Sequence, residues 1–316
     1  MGSSDNEGVC AARLAAMRIS TTSVEAPAQP SLQDLHLNGP SAPSGLLGDT
    51  AQRDYARKLR LFSVFAEPEL RAAIAGLGLK PGMRVLDAGC GTGEALKWLA
   101  EEIGPGGAAI GFDLASAHVA SAAACAPPGV HVVQANLLRA PFRPHTFDLI
   151  WCVNTIHHLR DPIRAVSTLR SLARAGGRIV LGQSSLVPEM YFAWDARLER
   201  VTNEAVRQYY RDRYGLSEYA LTQVRSVVGW LRAIALQQIT VRTLVIERIG
   251  PLQPADEAYL LEVIFRGTWG ERLRPYLSAA DYAELVSLCD PNASGFALRR
   301  PDFHFLQCFT LVMGET

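Results

Sequence analysis

The run Val85-Leu86-Asp87-Ala88-Gly89-Cys90-Gly91-Thr92-Gly93 is the part of the chain best suited to chemistry. Three alternating glycines let backbone N–H groups approach a ligand at the start of a helix, with no Cβ in the way. Position 94 is Glu, so the G-x-G-x-x-G dinucleotide pattern fails, and no Gly-Lys-Ser/Thr follows, so this is not a Walker loop. A second carboxylate, Asp113, ends the next apolar run, where it can accept both hydrogen bonds of a ribose diol. Asn154-Thr155-Ile156-His157-His158 ends a later run. A His there can take a proton from a hydroxyl or an amine, because its unperturbed pKa lies near neutrality. The alternative is that the His pair serves loop geometry alone.

These residues need a scaffold, and the hydrophobic pattern supplies one. Strands are expected at 84–88, 108–113, 131–135, 147–153 and 177–182, with helices at 94–103, 116–125 and 163–173 between them. Such alternation means βαβ units and a parallel sheet covered on both faces. Carboxyl ends of strands line the crevice of an open parallel sheet, which puts residues 154–158 beside the glycine loop. Ahead of the sheet, 54–62 and 67–77 read as helices, the second opened by Pro68. The last third departs from the rhythm, with helices at 188–214 and 217–237, a sixth strand at 239–246, a mostly helical stretch at 252–302 and a seventh strand at 303–312. Residues 1–48 are rich in Ser, Ala, Pro and Gly and read as a mostly disordered arm.

Composition narrows the function. The 316 residues carry 31 basic and 31 acidic side chains, which argues against gripping nucleic acid or anionic lipid by bulk charge. Cys10, Cys90, Cys125, Cys152, Cys289 and Cys308 form no C-x-x-C pair and no zinc-spaced cluster with His, so no metal centre is expected and a reducing cytoplasm fits best. No stretch has the length and apolarity of a membrane span, no signal-peptide core is present, and Asn6 breaks the myristoylation pattern.

Asp-x-Gly-x-Gly-x-Gly at 87–93, with Asp113 after the next strand, closely resembles the first motifs of the class I S-adenosylmethionine-dependent methyltransferases, whose core motifs residues 81–185 cover. The resemblance implies a Rossmann-like, seven-stranded, mostly parallel sheet, with S-adenosyl-L-methionine as methyl donor and S-adenosyl-L-homocysteine as product. It implies that Asp87, Gly89, Cys90, Gly91 and Gly93 hold the methionine portion and Asp113 the ribose. Leu114 would pack on the adenine, and Asn136 with Leu137 would stand where the family has an Asp that bonds the adenine amino group. Asn154 would face the cofactor, and His157 or His158 would act as a base. In related enzymes a helix ahead of the sheet folds over the cofactor, which makes Tyr55 and Arg57 candidates near the sulfonium and residues 49–80 a cover. His36, His118, His131, His145 and His304 are left as structural or solvent-exposed. The Asp/Asn-Pro-Pro-Tyr/Phe signature of nucleobase and glutamine amino-methyltransferases is missing at 154–157.

The methyltransferase domain is then 81–316, with helical cap insertions at 186–214 and 250–302. Tyr191, Tyr209, Tyr210, Tyr214, Tyr219, Tyr259, Tyr276 and Tyr282, with Phe192, Trp194, Trp230, Phe265 and Trp269, fall in this last third. Most would form the core of the cap and a few would line an acceptor pocket. The expected reaction is in-line methyl transfer to an O, N or C nucleophile of a small aromatic or hydrophobic metabolite, by a cytoplasmic monomer or homodimer that binds neither nucleic acid nor membrane. The alternatives are a protein or RNA methyltransferase, or non-methylating chemistry such as cyclisation on the same fold.

Overall fold

Short apolar runs become the strands β1 (Arg84–Ala88), β2 (Ala108–Asp113), β3 (Val130–Gln134), β4 (Phe147–Val153), β5 (Ala173–Ser184), β6 (Gln237–Ile249) and β7 (His304–Glu315). The computed structural model describes residues 55–184, 195–217 and 223–316. The strands form one sheet in the order β3-β2-β1-β4-β5-β7-β6, with β1 to β5 parallel and β7 antiparallel to both β5 and β6. This is the fold of the class I methyltransferases. The strand order reverses between β1 and β4, the point at whose carboxyl ends an open parallel sheet forms its crevice.

Alternation along the central strands divides the core in two. Val85, Leu149 and Trp151 face one side with Leu96, Trp98 and Leu99 of the helix α3 (Glu94–Ile103). Leu86, Ile150 and Cys152 face the other with Val166 and Leu169 of α5 (Pro162–Leu172). Phe112 and Phe147 are fully buried, and each such burial contributes about 1.5–3 kcal/mol relative to exposure. That packing makes the strand ends a rigid platform.

Two helices precede the sheet, α1 (Ala56–Phe65) and α2 (Glu67–Ala75), and α4 (Ser116–Cys125) joins β2 to β3. Arg248 of β6 donates to Glu69 of α2 at 2.7 Å and to Asp256 of the second insertion at 3.0 Å, tying these parts together. Phe62 and Phe65 of α1 pack on Tyr259, and Phe62 also on Phe309 of β7.

The last third differs from the sequence expectation in several places. Of the helix expected over 217–237, residues 218–222 lie outside the described residues. The rest is a short 3-10 turn at Gln223–Ser226 followed by Val227–Ala233, which ends there because Ala235 takes φ +58° and Gln237 already pairs with Glu315. Pairing with β7 also lengthens β6 to Ile249. Trp230 is not a cap residue: its helix packs under the opposite sheet face, with Leu86 and Ile150. The described part of the insertion after β5 holds α6 (Ala196–Tyr214), opened by the Asp195 side chain accepting from the Arg197 N–H and closed by Gly215 at φ +65°. The cap between β6 and β7 comprises Pro254–Tyr259, a π-helical Leu260–Thr268, a 3-10 Glu271–Tyr276 and Ala279–Cys289. Both follow strands whose carboxyl ends face the crevice. The arm 1–48, and Tyr191, Phe192, Trp194 and Tyr219, lie outside the described residues. Among the described residues no helix is long and apolar enough to cross a membrane, and no group of three His, Cys, Asp or Glu stands ready for a metal ion.

Candidate active site

The loop after β1 is held by the neighbouring strands. Gly89 and Cys90 both donate their N–H to Phe112 O, at 2.8 and 2.9 Å, which folds the loop back over β2. Gly89 sits at φ +81°, and a Cβ there would lie 2.2 Å from Thr155 Oγ1. Only glycine lets the loop and the β4 terminus approach so closely. Gly91 and Gly93 also take positive φ, the latter as the left-handed residue opening α3. Leu59 of α1 lies over Gly91.

Asp113 organises the rim. Its Oδ2 accepts from Gly91 N–H at 3.0 Å and its Oδ1 from Ala115 N–H at 2.9 Å, while His118 Nδ1 stands 3.2 Å from Oδ1. Burial works to raise its pKa, but the bonds from His118, Ala115 and Gly91 outweigh that and hold it below the usual carboxylate value. Oδ1 thus has two donors, while Oδ2, with one, keeps lone-pair capacity. His118 is the residue missed by sequence reasoning. It is buried, and its Nε2 accepts the Tyr55 N–H at 3.2 Å, which assigns the proton to Nδ1. Its placement one helical turn beyond the Asp113 strand end was the available signal.

Asp87 lies deeper, 2% exposed, and its Oδ2 has no hydrogen-bond partner. Burial, with Asp113 and Glu94 adding repulsion, pushes its pKa up to about 8. A buried carboxylate oxygen without a donor is costly, and a ligand ammonium would satisfy it. This buried acceptor beside the glycine loop fits the ammonium at the methionine end of S-adenosylmethionine.

The remaining predicted residues spread around this pair. The Cys90 thiol is buried beneath the loop near Gly111, and burial pushes its pKa far up, so its side chain packs the loop from below. Leu114 is half-buried at the end of β2, its carbonyl accepting from Gln134 Nε2. Asn136 Oδ1 accepts from Leu138 N–H at 2.9 Å and caps a short 3-10 turn, and Leu137 is buried in the core. Asn154 takes φ +51°, and its Oδ1 accepts from Ser184 N–H at 3.2 Å, linking the ends of β4 and β5. His157 and His158 stand on a 3-10 turn with ring centroids 4.0 Å apart. Burial lowers both, aided in His157 by its neighbour, and His158 reaches about 4. Both imidazoles are therefore neutral at pH 7. Tyr55 begins α1 beside His118. Glu262 of the π-helical segment takes the Arg57 guanidinium in a two-pronged ion pair.

Residues 86–181 match a family model described as a methyltransferase domain. The chain is similar to the 27-O-demethylrifamycin SV methyltransferase of Amycolatopsis mediterranei, 31% identical over 127 residues, 39% of this chain and 47% of that protein. It is 24% identical over 154 residues to the demethylmenaquinone methyltransferase of Shouchella clausii, 46% of this chain and 66% of that one. Among solved structures, the YcgJ protein of Bacillus subtilis aligns with a TM-score of 0.50 and 17% identity, over 79% of this chain and 98% of that chain, a likeness of fold. The first of the curated relatives are covered over 24% to 66% of their own length.

Proposed function

We propose, from the class I S-adenosylmethionine-dependent methyltransferase domain that residues 86–181 form on this fold, that the chain methylates an O, N or C nucleophile of a small aromatic or hydrophobic metabolite. The observation that carries the reading is the pairing of a buried, partnerless Asp87 Oδ2 with Asp113 across a glycine loop at the sheet's switch point. The names of the relatives, a demethylmenaquinone and a demethylrifamycin methyltransferase, support a small-molecule acceptor.

In this reading the cofactor, when bound, supplies an electrophilic methyl on a sulfonium sulfur. Asp87 takes the ammonium of the methionine end, and the glycine loop accommodates its backbone. Asp113 accepts from the ribose diol through the free lone pair of Oδ2, held in place by His118. Leu114 flanks the adenine, and the second lone pair of Asn136 Oδ1 takes its amino group. Asn154 braces the β4 and β5 ends, and Tyr55 closes α1 over the loop. His157 and His158, uncharged at neutral pH, accept a proton where the acceptor must lose one. Much of the rate comes from holding the nucleophile in line in a dry site beneath the caps. A cytoplasmic enzyme of specialised metabolism, monomeric or dimeric and without nucleic-acid partners, completes the proposal.

Calorimetric titration with S-adenosylmethionine and S-adenosylhomocysteine, beside an Asp113→Ala variant, tests it. Micromolar binding of both, lost in the variant, is expected. Absence of binding by folded wild-type protein would overturn the reading.

A further inference from the structure

The crevice roof carries a cationic cluster outside the residues assigned above to the cofactor. Lys58 lies on the stripe of α1 shared by Tyr55, Leu59 and Phe62, whose neighbours are His118, Gly91 and Phe309. Phe309 pairs with Ser184 at the carboxyl end of β5, so this stripe looks onto the crevice. The Lys58 Nζ comes within 3.5 Å of the place a Cβ would take on Gly267. The adjoining Thr268 accepts from Arg272 Nη2 at 3.1 Å. The Arg272 guanidinium then lies over Tyr209 and Tyr210 of α6, 4.7 and 5.6 Å from their centroids. Three elements distant in sequence thus bring two cations and a tyrosine face together.

Neither cation is neutralised. Among the described residues no carboxylate pairs with Lys58 or Arg272, and the acids nearby are engaged elsewhere, Glu262 by Arg57 and Asp212 by Tyr276. Two unpaired cations held side by side repel each other, and an anion between them would relieve that cost. Lys58 stays open to solvent, as a site that admits a ligand must. Crowding by protein nonetheless lowers its pKa, and Arg272 adds to the effect.

We propose that Lys58 and Arg272, the latter lying over the Tyr209 and Tyr210 rings, form an oxyanion subsite that anchors a carboxylate or phosphate group of the methyl acceptor. The subsite rests on the methyltransferase reading for its purpose, but it binds anions whether or not that reading holds. It fixes one end of the acceptor under the caps and so selects anionic acceptors over neutral ones of the same shape.

The test is titration of benzoate, phenyl phosphate and neutral benzamide into full-length protein, with and without saturating S-adenosylhomocysteine. At least one of the two anions is expected to bind about tenfold or more tighter than benzamide. Which of the two binds tighter identifies carboxylate or phosphate as the acceptor group. Lys58→Met and Arg272→Met should each remove that preference while leaving S-adenosylhomocysteine affinity within about threefold, and Lys58→Arg should retain it. Equal binding of anion and benzamide, binding of neither anion, or an unchanged preference in both Met variants would overturn the subsite. Anion binding without any binding of S-adenosylhomocysteine would leave the subsite standing and remove the methyltransferase reading.

Discussion

Asp113 Oδ1 and His118 Nδ1 lie 3.2 Å apart, and the far nitrogen of the same imidazole accepts the Tyr55 N–H. One side chain therefore holds the Asp113 carboxylate and the start of α1. Closure of α1 and orientation of Asp113 are coupled through it.

His118→Leu should break both bonds while preserving bulk. With about 1 kcal/mol for each net hydrogen bond, S-adenosylhomocysteine affinity is expected to fall roughly five- to thirtyfold. Calorimetry decides, and unchanged affinity would show that Asp113 is oriented without His118.

Gly89→Ala places a methyl 2.2 Å from Thr155 Oγ1 at φ +81°. A loss of roughly 1–3 kcal/mol in chemical denaturation is expected, together with cofactor affinity. Adding Thr155→Ala removes Oγ1 and Cγ2, the two nearest atoms, and should recover part of the stability. No recovery would mean that the backbone conformation alone sets the cost.

The Asp87 carboxyl, raised to about 8 chiefly by burial, holds its proton in the folded ligand-free protein up to that pH. The unfolded chain releases it near pH 4, so this group's contribution is fully present below about pH 4 and is lost as pH rises toward 8. Asp87→Asn should remove that decline and raise Tm at pH 8 by a few degrees, about 1 kcal/mol or more, while cofactor binding falls at least about tenfold. Ligand binding at pH 7 should also release a proton from wild type, seen as a buffer-dependent heat. A variant no more stable than wild type at pH 8 would contradict the buried-carboxylate account.

His158 titrates near 4 when folded and near 6.5 when unfolded. Between those values the unfolded chain binds more protons, so its contribution to stability is lost as pH falls from 6.5 toward 4. His158→Phe should flatten part of that acid limb without altering Tm dependence above pH 7. Melting curves from pH 4 to 8, compared with Asp87→Asn, separate these two opposing effects.

The strands that form the platform were legible because their side chains are buried on both faces, leaving runs such as Val85–Ala88 and Phe147–Val153 almost wholly apolar. Asp87, the glycines and Asp113 could be read for the same reason: polar groups and glycines interrupting such runs at fixed spacing have few purely structural explanations. The region after Tyr214 was less legible. Whether residues near 235 continue a helix or begin β6 is decided by Glu315 and its neighbours, far along the chain, whose pairing overrides local preference.

Contacts across long separations needed the folded chain. His118 looked like an ordinary helix residue until the turn of α4 set it between Asp113 and Tyr55. Arg57 matched a cofactor-facing residue by position, yet Glu262 lies 205 residues away in sequence and takes its charge. The meeting of Lys58 with Arg272 is of the same kind. Local sequence determined which strand ends and which loop form the candidate site, because spacing along one strand–turn–helix sets that geometry. Tertiary structure alone decided what covers it, because helices from three separate segments converge there through packing and charge that no local pattern encodes.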